Sequence, residues 1–130
     1  MPRFVLIGLC EPPSADKQAQ FDEWFVDQHI EDTAHCPNFV RGTVYKLAGA
    51  HLGSETASGY LSLYEVEAPS YEEAERVLNE WQRDPDAWAG RRKHLATAEK
   101  FDGMPLKVRG SGWYEFIKSF DGPKAGSGNG

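Results

Sequence analysis

Apolar residues form one nearly continuous run at 3–10, alternate with polar ones at 39–48 and 60–66, and recur at helical spacing over 15–34 and 71–83. The first run, RFVLIGLC, is short and is stopped by Pro12-Pro13, which fits a strand buried on both faces. With Ser14 as N-cap, the pattern predicts a helix over residues 15–34. Cys36-Pro37-Asn38 ends it, because a residue before proline is biased away from helical backbone. At about 100° per residue, Phe21, Phe25 and His29 fall close to one line, and Val26 and Ile30 carry the apolar arc past the histidine. His29 therefore lies in the buried sector, away from Glu23, Asp27 and Glu31. An ionisable ring there must be satisfied by a partner or used by a ligand.

Residues 39–48 (FVRGTVYKLA) are rich in β-branched and aromatic types and read as a strand, with Phe39, Arg41, Thr43, Tyr45 and Leu47 on one face. A glycine-rich loop carrying His51 leads to a second strand at 60–66, giving an antiparallel hairpin in which Tyr45 and Tyr64 are expected to share a face. Ser70-Tyr71-Glu72-Glu73 is a capping box that opens a helix reaching Arg83. Asp84-Pro85 breaks it, and a further helical piece is expected over 86–100, carrying Trp88 and the basic run Arg91-Arg92-Lys93-His94. Residues 101–112 look turn-rich, and 113–120 (WYEFIKSF) read as the closing strand. Strand, helix, strand, strand, helix, strand is the βαββαβ order of a ferredoxin-like α+β fold: a four-stranded antiparallel sheet with helices on one face. Residues 1–120 are expected to make one domain and 121–130 (DGPKAGSGNG) a flexible tail.

Composition narrows the function classes. The chain has 130 residues, 40% hydrophobic and 26% charged, the profile of a globular protein with one modest core. A net charge of −6 without a basic cluster among aromatics argues against nucleic acid as a partner. No apolar run nears the ~20 residues that span a bilayer, and the start of the chain lacks a signal-peptide pattern. A cytoplasmic protein with two reduced thiols, Cys10 and Cys36, is expected.

His29 is the leading candidate for chemistry. Apolar surroundings favour the neutral imidazole of a general base, with Asp22 or Asp32 as possible orienting groups; the alternative is a core histidine bonded to backbone. Tyr45 and Tyr64 are candidate donors to a substrate oxygen, or plain packing residues. Arg41, on the Tyr45 face, either binds a substrate carboxylate or pairs with a neighbouring acid. Trp24, Phe25 and Trp88 either line a pocket for a flat aromatic ligand or supply bulk to a small core, and His51 is a second acid–base candidate at a cleft mouth or simply exposed. His35-Cys36 lacks the companions of a metal site, so no metal is assigned. Cys10 is a nucleophile or, more simply, a small buried hydrophobe. The thirteen glycines include no phosphate-cradling pattern, so no nucleotide cofactor is implied.

Phe21, Trp24, Phe25, His29 and Ile30, followed by Pro37 in a turn and Tyr45 on a strand, resemble the dimeric α+β barrel superfamily and, within it, EthD-like proteins. The resemblance implies a homodimer whose two sheets face each other, with a ligand cleft in each subunit between its own sheet and helices. It implies a small-molecule substrate and, among the activities of such relatives, cofactor-free acid–base chemistry: a lyase, isomerase or cyclase acting on an aromatic or carbonyl-bearing metabolite. Oxygen-using relatives, cofactor-free or haem-dependent, and non-catalytic binding dimers are the alternatives. The sequence departs from the pattern in lacking a proline soon after His29 and in the basic segment at 91–94.

Overall fold

In a computed structural model of the protein, described for residues 1–52, 59–84 and 107–124, four strands form one sheet. They are β1 (Arg3–Glu11), β2 (Phe39–Lys46), β3 (Tyr60–Glu67) and β4 (Lys107–Glu115), in the order β2-β3-β1-β4. Every neighbouring pair is antiparallel, with β1 and β3 central. With the helices gathered on one face, the fold is ferredoxin-like.

The helical run between β1 and β2 has four parts. A 3₁₀ turn (Ala15–Lys17) leads into α1 (Gln18–Trp24), a π turn follows (Phe25–His29), and α2 (Ile30–Ala34) completes it. Ser14 stands at the start, although its hydroxyl goes to the Asp16 carboxylate and not to a backbone amide. The end is where Cys36-Pro37 predicts it: Phe39 N–H donates to Cys36 O at 3.1 Å, and Asn38 takes φ 75°, a left-handed geometry that asparagine tolerates. Helix α3 (Tyr71–Arg83) is capped by Ser70, whose hydroxyl accepts from Glu73 N–H at 3.1 Å. The Glu73 carboxylate pairs with Arg76.

The helix-side face of the sheet carries Phe4, Leu6, Gly8 and Cys10 from β1, opposite Val66, Tyr64, Ser62 and Tyr60 of β3. Phe21, Trp24, Phe25, Ile30 and Ala74 pack onto the buried members of this set, while Leu78 and Trp81 of α3 pack with Leu6, Phe39 and Trp113. Close approach of α2 to β2 depends on Gly42, where a Cβ would meet the Tyr64 ring at 3.0 Å and Ala34 Cβ at 3.2 Å. The opposite face bears no helix among the described residues. Val5, Ile7, Leu61 and Leu63 lie half-buried at its centre, with Tyr45 and Tyr114 exposed beside them.

Two expectations need correction. The closing strand lies at Lys107–Glu115, six residues before the predicted start and ending before the predicted end. Its Lys-Val-Arg-Gly-Ser-Gly beginning has turn-like composition, yet β1 offers a full ladder, and pairing overrides local preference. Arg109 is the extra residue of a bulge there, and its guanidinium reaches Glu11. In β2 a bulge at Val40 resets the alternation, so Phe39 joins the helix-side face while Arg41, Thr43 and Tyr45 face away. Trp88, the 91–94 run and the expected 86–100 helix lie outside the described residues.

Candidate functional site

The π turn decides how His29 is presented. Ile30 N–H bonds to Phe25 O, five residues back instead of four, which widens the turn between them. On a regular α-helix Trp24 and His29 would point about 140° apart. In this helix they stack, with ring centroids 4.7 Å apart and planes at 29°. Phe25 stacks on His29 as well, at 5.5 Å and 23°, and Phe21 continues the ladder beneath Phe25 at 4.9 Å. The imidazole is thereby held by aromatic neighbours, half-buried, at the border between core and cavity.

That cavity, about 290 Å³, lies between the helix-side face of the sheet and the helices. Phe25, His29 and Thr33 face it from the helical run, Gly8, Cys10, Ser62 and Tyr64 from the two central strands. His29 and Thr33 are four residues apart, whereas Ser62 and Tyr64 are two apart on β3; each pair follows the period of its element. Helix and strand thus turn their polar groups toward the same space.

Tyr64 is 5% exposed. Burial raises its pKa well above the ordinary tyrosine value, and the neighbouring Cys10 and Asp32 push the same way, while a hydrogen bond with Thr33 opposes them. Its hydroxyl stays protonated across the physiological range and can donate a hydrogen bond. Burial likewise pushes the Cys10 thiol up to about 11 against a smaller opposing effect of Ser62, so it is no thiolate at neutral pH. Cys10 is a buried small residue on the wall.

Other candidates fall elsewhere. Tyr45 and Tyr64 do not share a face: Tyr45 is opposite Leu61 and 56% exposed on the open side, whereas Tyr64 is opposite Gly42. The hairpin register alone separates them, because an odd offset inverts the face. Arg41 shares the open face with Tyr45 and pairs with Glu65 at 3.3 Å, away from the cavity. His51 is exposed in its loop. Trp24 backs His29 and does not line the cavity wall. Asp22 is taken by Tyr60, whose hydroxyl donates to it, and by Gln18 at 2.7 Å. Asp32 is buried beside Tyr64. Thr33 and Ser62 were missed; the signal for Thr33 was its position one turn beyond His29, and for Ser62 its alternation with Tyr64.

Among the described residues no group of three or more His, Cys, Asp or Glu side chains is arranged to hold a metal ion, and no helix is long and apolar enough to cross a membrane. No protein-family model matches the chain, and no curated protein matches it. Among solved structures, the chain is similar to a dimeric ferredoxin-like protein of unknown function from Thermobifida fusca YX, with TM-score 0.49 and 14% identity over 90% of this chain and 92% of that one. It is also similar to an ethyl tert-butyl ether degradation (EthD) family protein from Bacillus halodurans C-125, with TM-score 0.41 and 21% identity over 83% of this chain and 96% of that one.

Proposed function

We propose that the protein is a cofactor-independent enzyme of lyase, isomerase or cyclase type. It acts by proton transfer on a small aromatic or carbonyl-bearing metabolite. The observation that carries this reading is a histidine and a protonated tyrosine on the wall of one cavity, reached from opposite layers of the fold. His29 takes a proton from a carbon next to a carbonyl, or from a phenol. Tyr64 donates to the oxygen on which negative charge develops, and returning the proton elsewhere on the substrate completes an isomerisation or ring closure. At about 290 Å³ the cavity sits at the lower limit of small-molecule sites, roughly 300–1,000 Å³. That volume suits one ring or a short chain.

The test is turnover by His29→Gln and Tyr64→Phe once a substrate is in hand. Loss of general-base catalysis costs about 10²–10⁴-fold in kcat. Loss of an oxyanion donor costs about 10²–10³-fold. Unchanged turnover in His29→Gln removes this reading.

We further infer a homodimer formed through the open face of the sheet. Val5, Ile7, Leu61 and Leu63 give that face an apolar centre, and Arg41 and Glu65 give its border both signs of charge. A two-fold contact requires one patch to complement itself, which that combination supports. Phe116, Ile117 and Phe120, exposed after β4, add apolar surface for a partner to cover.

A further inference from the structure

The cavity that holds His29 differs from the rest of this acidic chain in its wall: among the described residues it contains no Asp, Glu, Lys or Arg. Its polar groups are the His29 imidazole, the hydroxyls of Thr33, Ser62, Tyr64 and Ser111, and the Gln82 amide. The Asp32 carboxylate, 1% exposed, lies close enough to Tyr64 to push the ionisation of its hydroxyl upward. Arg41, the side chain suited to a substrate carboxylate, is turned to the other side of the sheet and engaged by Glu65. An anionic ligand here would lose its hydration with no Lys or Arg among the described wall residues to replace it, which disfavours a buried carboxylate.

Ser62 sharpens the picture. Its side chain is buried, and its hydroxyl reaches Gly8 O at 3.5 Å, the outer limit of a hydrogen bond, and lies within hydrogen-bonding reach of the Cys10 thiol. The absence of a side chain at Gly8 leaves room for that hydroxyl, since a Cβ there would stand 2.9 Å from Ser62 Oγ. Ser62 and Tyr64 follow each other on the same face of β3, with backbones about 7 Å apart. They offer two uncharged donors to one molecule.

Resting on the reading of this cavity as the substrate site, we propose that it selects uncharged ligands carrying two oxygen functions, a carbonyl with a hydroxyl or second carbonyl nearby, and rejects the corresponding carboxylates. Ser62 is then a specificity-determining residue alongside Tyr64.

Matched probes test this at pH 7 by titration calorimetry or amide chemical-shift changes: methyl salicylate against salicylate, and acetylacetone against acetoacetate. The neutral member of at least one pair is expected to bind about tenfold or more tightly than its anion. Ser62→Ala should weaken that neutral ligand about threefold to tenfold, the worth of one uncharged hydrogen bond. Gly8→Ala should do the same by displacing the Ser62 hydroxyl, with the fold checked by circular dichroism. A smaller preference, a preference for the carboxylate, or no binding of either neutral probe at millimolar concentration overturns the proposal, as does unchanged affinity in both variants. Binding is read without turnover, so selectivity for the neutral probe survives even if His29→Gln proves proton transfer wrong. Equal binding of acid and ester sinks the selectivity while leaving proton transfer intact.

Discussion

Trp24 and His29, five residues apart in one helical run, stack at 4.7 Å because the π turn between them brings both rings to one side. A helical wheel with a uniform 100° step cannot show that contact. It places His29 with Phe21 and Phe25 and leaves Trp24 elsewhere. One extra residue in the turn exchanges regular helix geometry for an imidazole held against two neighbouring aromatic rings, and π turns recur where a side chain must be aimed.

Trp24 is therefore expected to hold His29 in place. The ring protons of His29 should show upfield ring-current shifts in the wild type that collapse toward ordinary values in Trp24→Leu. Trp24→Ala should cost about 3–5 kcal/mol in urea unfolding, the usual loss for deleting a buried tryptophan. Ordinary histidine shifts in the wild type would show that the stack is not formed.

Much of the fold was legible in the residues, for identifiable reasons. Pro37 and Asn38 end the first helical run, Ser70 caps α3, and the alternation over residues 60–66 marks β3 as a strand. These are local signals. What escaped depends on partners distant in sequence or on irregular backbone. The bulge at Val40 moved Phe39 to the other face, and pairing with β1 drew a glycine-rich stretch into β4. The register of β2 on β3 parted Tyr45 from Tyr64. Of the site, His29 and Phe25 were readable from helical period, whereas Thr33, Ser62 and Gly8 gain meaning only when the two layers meet across the cavity.

Stability should fall in mild alkali. An unfolded thiol ionises around pH 9.0, whereas burial holds Cys10 up to about 11 and Cys36 up to about 12. Tyr60, buried and bonded to Asp22, behaves likewise between 10.0 and about 12. In that window the unfolded chain binds fewer protons than the folded one, so the stability present in full below pH 9 is lost as pH rises toward the folded values. Melting temperature should hold steady from pH 7 to 8.5 and decline from pH 9 upward, as the unfolding free energy falls by at most about 1.4 kcal/mol per pH unit per group. Cys36→Ala should flatten the decline. A wild-type melting temperature constant to pH 11 contradicts these shifts.

Leu63 lies on the open face opposite Ile7 and Thr43, close to its apolar centre. Light scattering should give the wild type twice the 14.5 kDa chain mass. Leu63→Glu should give a folded monomer, because a charge buried between two sheets has no partner. A monomeric wild type, or a dimer indifferent to Leu63→Glu, would move or remove the interface.

The cavity shared by His29 and Tyr64 as the ligand site is best tested by melting wild type and His29→Ala in parallel against a panel of small aromatic and carbonyl metabolites. Selective binding to the folded state must stabilise it. At least one compound should raise the melting temperature of the wild type and leave that of His29→Ala unmoved. Equal shifts in both proteins, or no shift in the wild type, would contradict the assignment and leave His29 a packing residue.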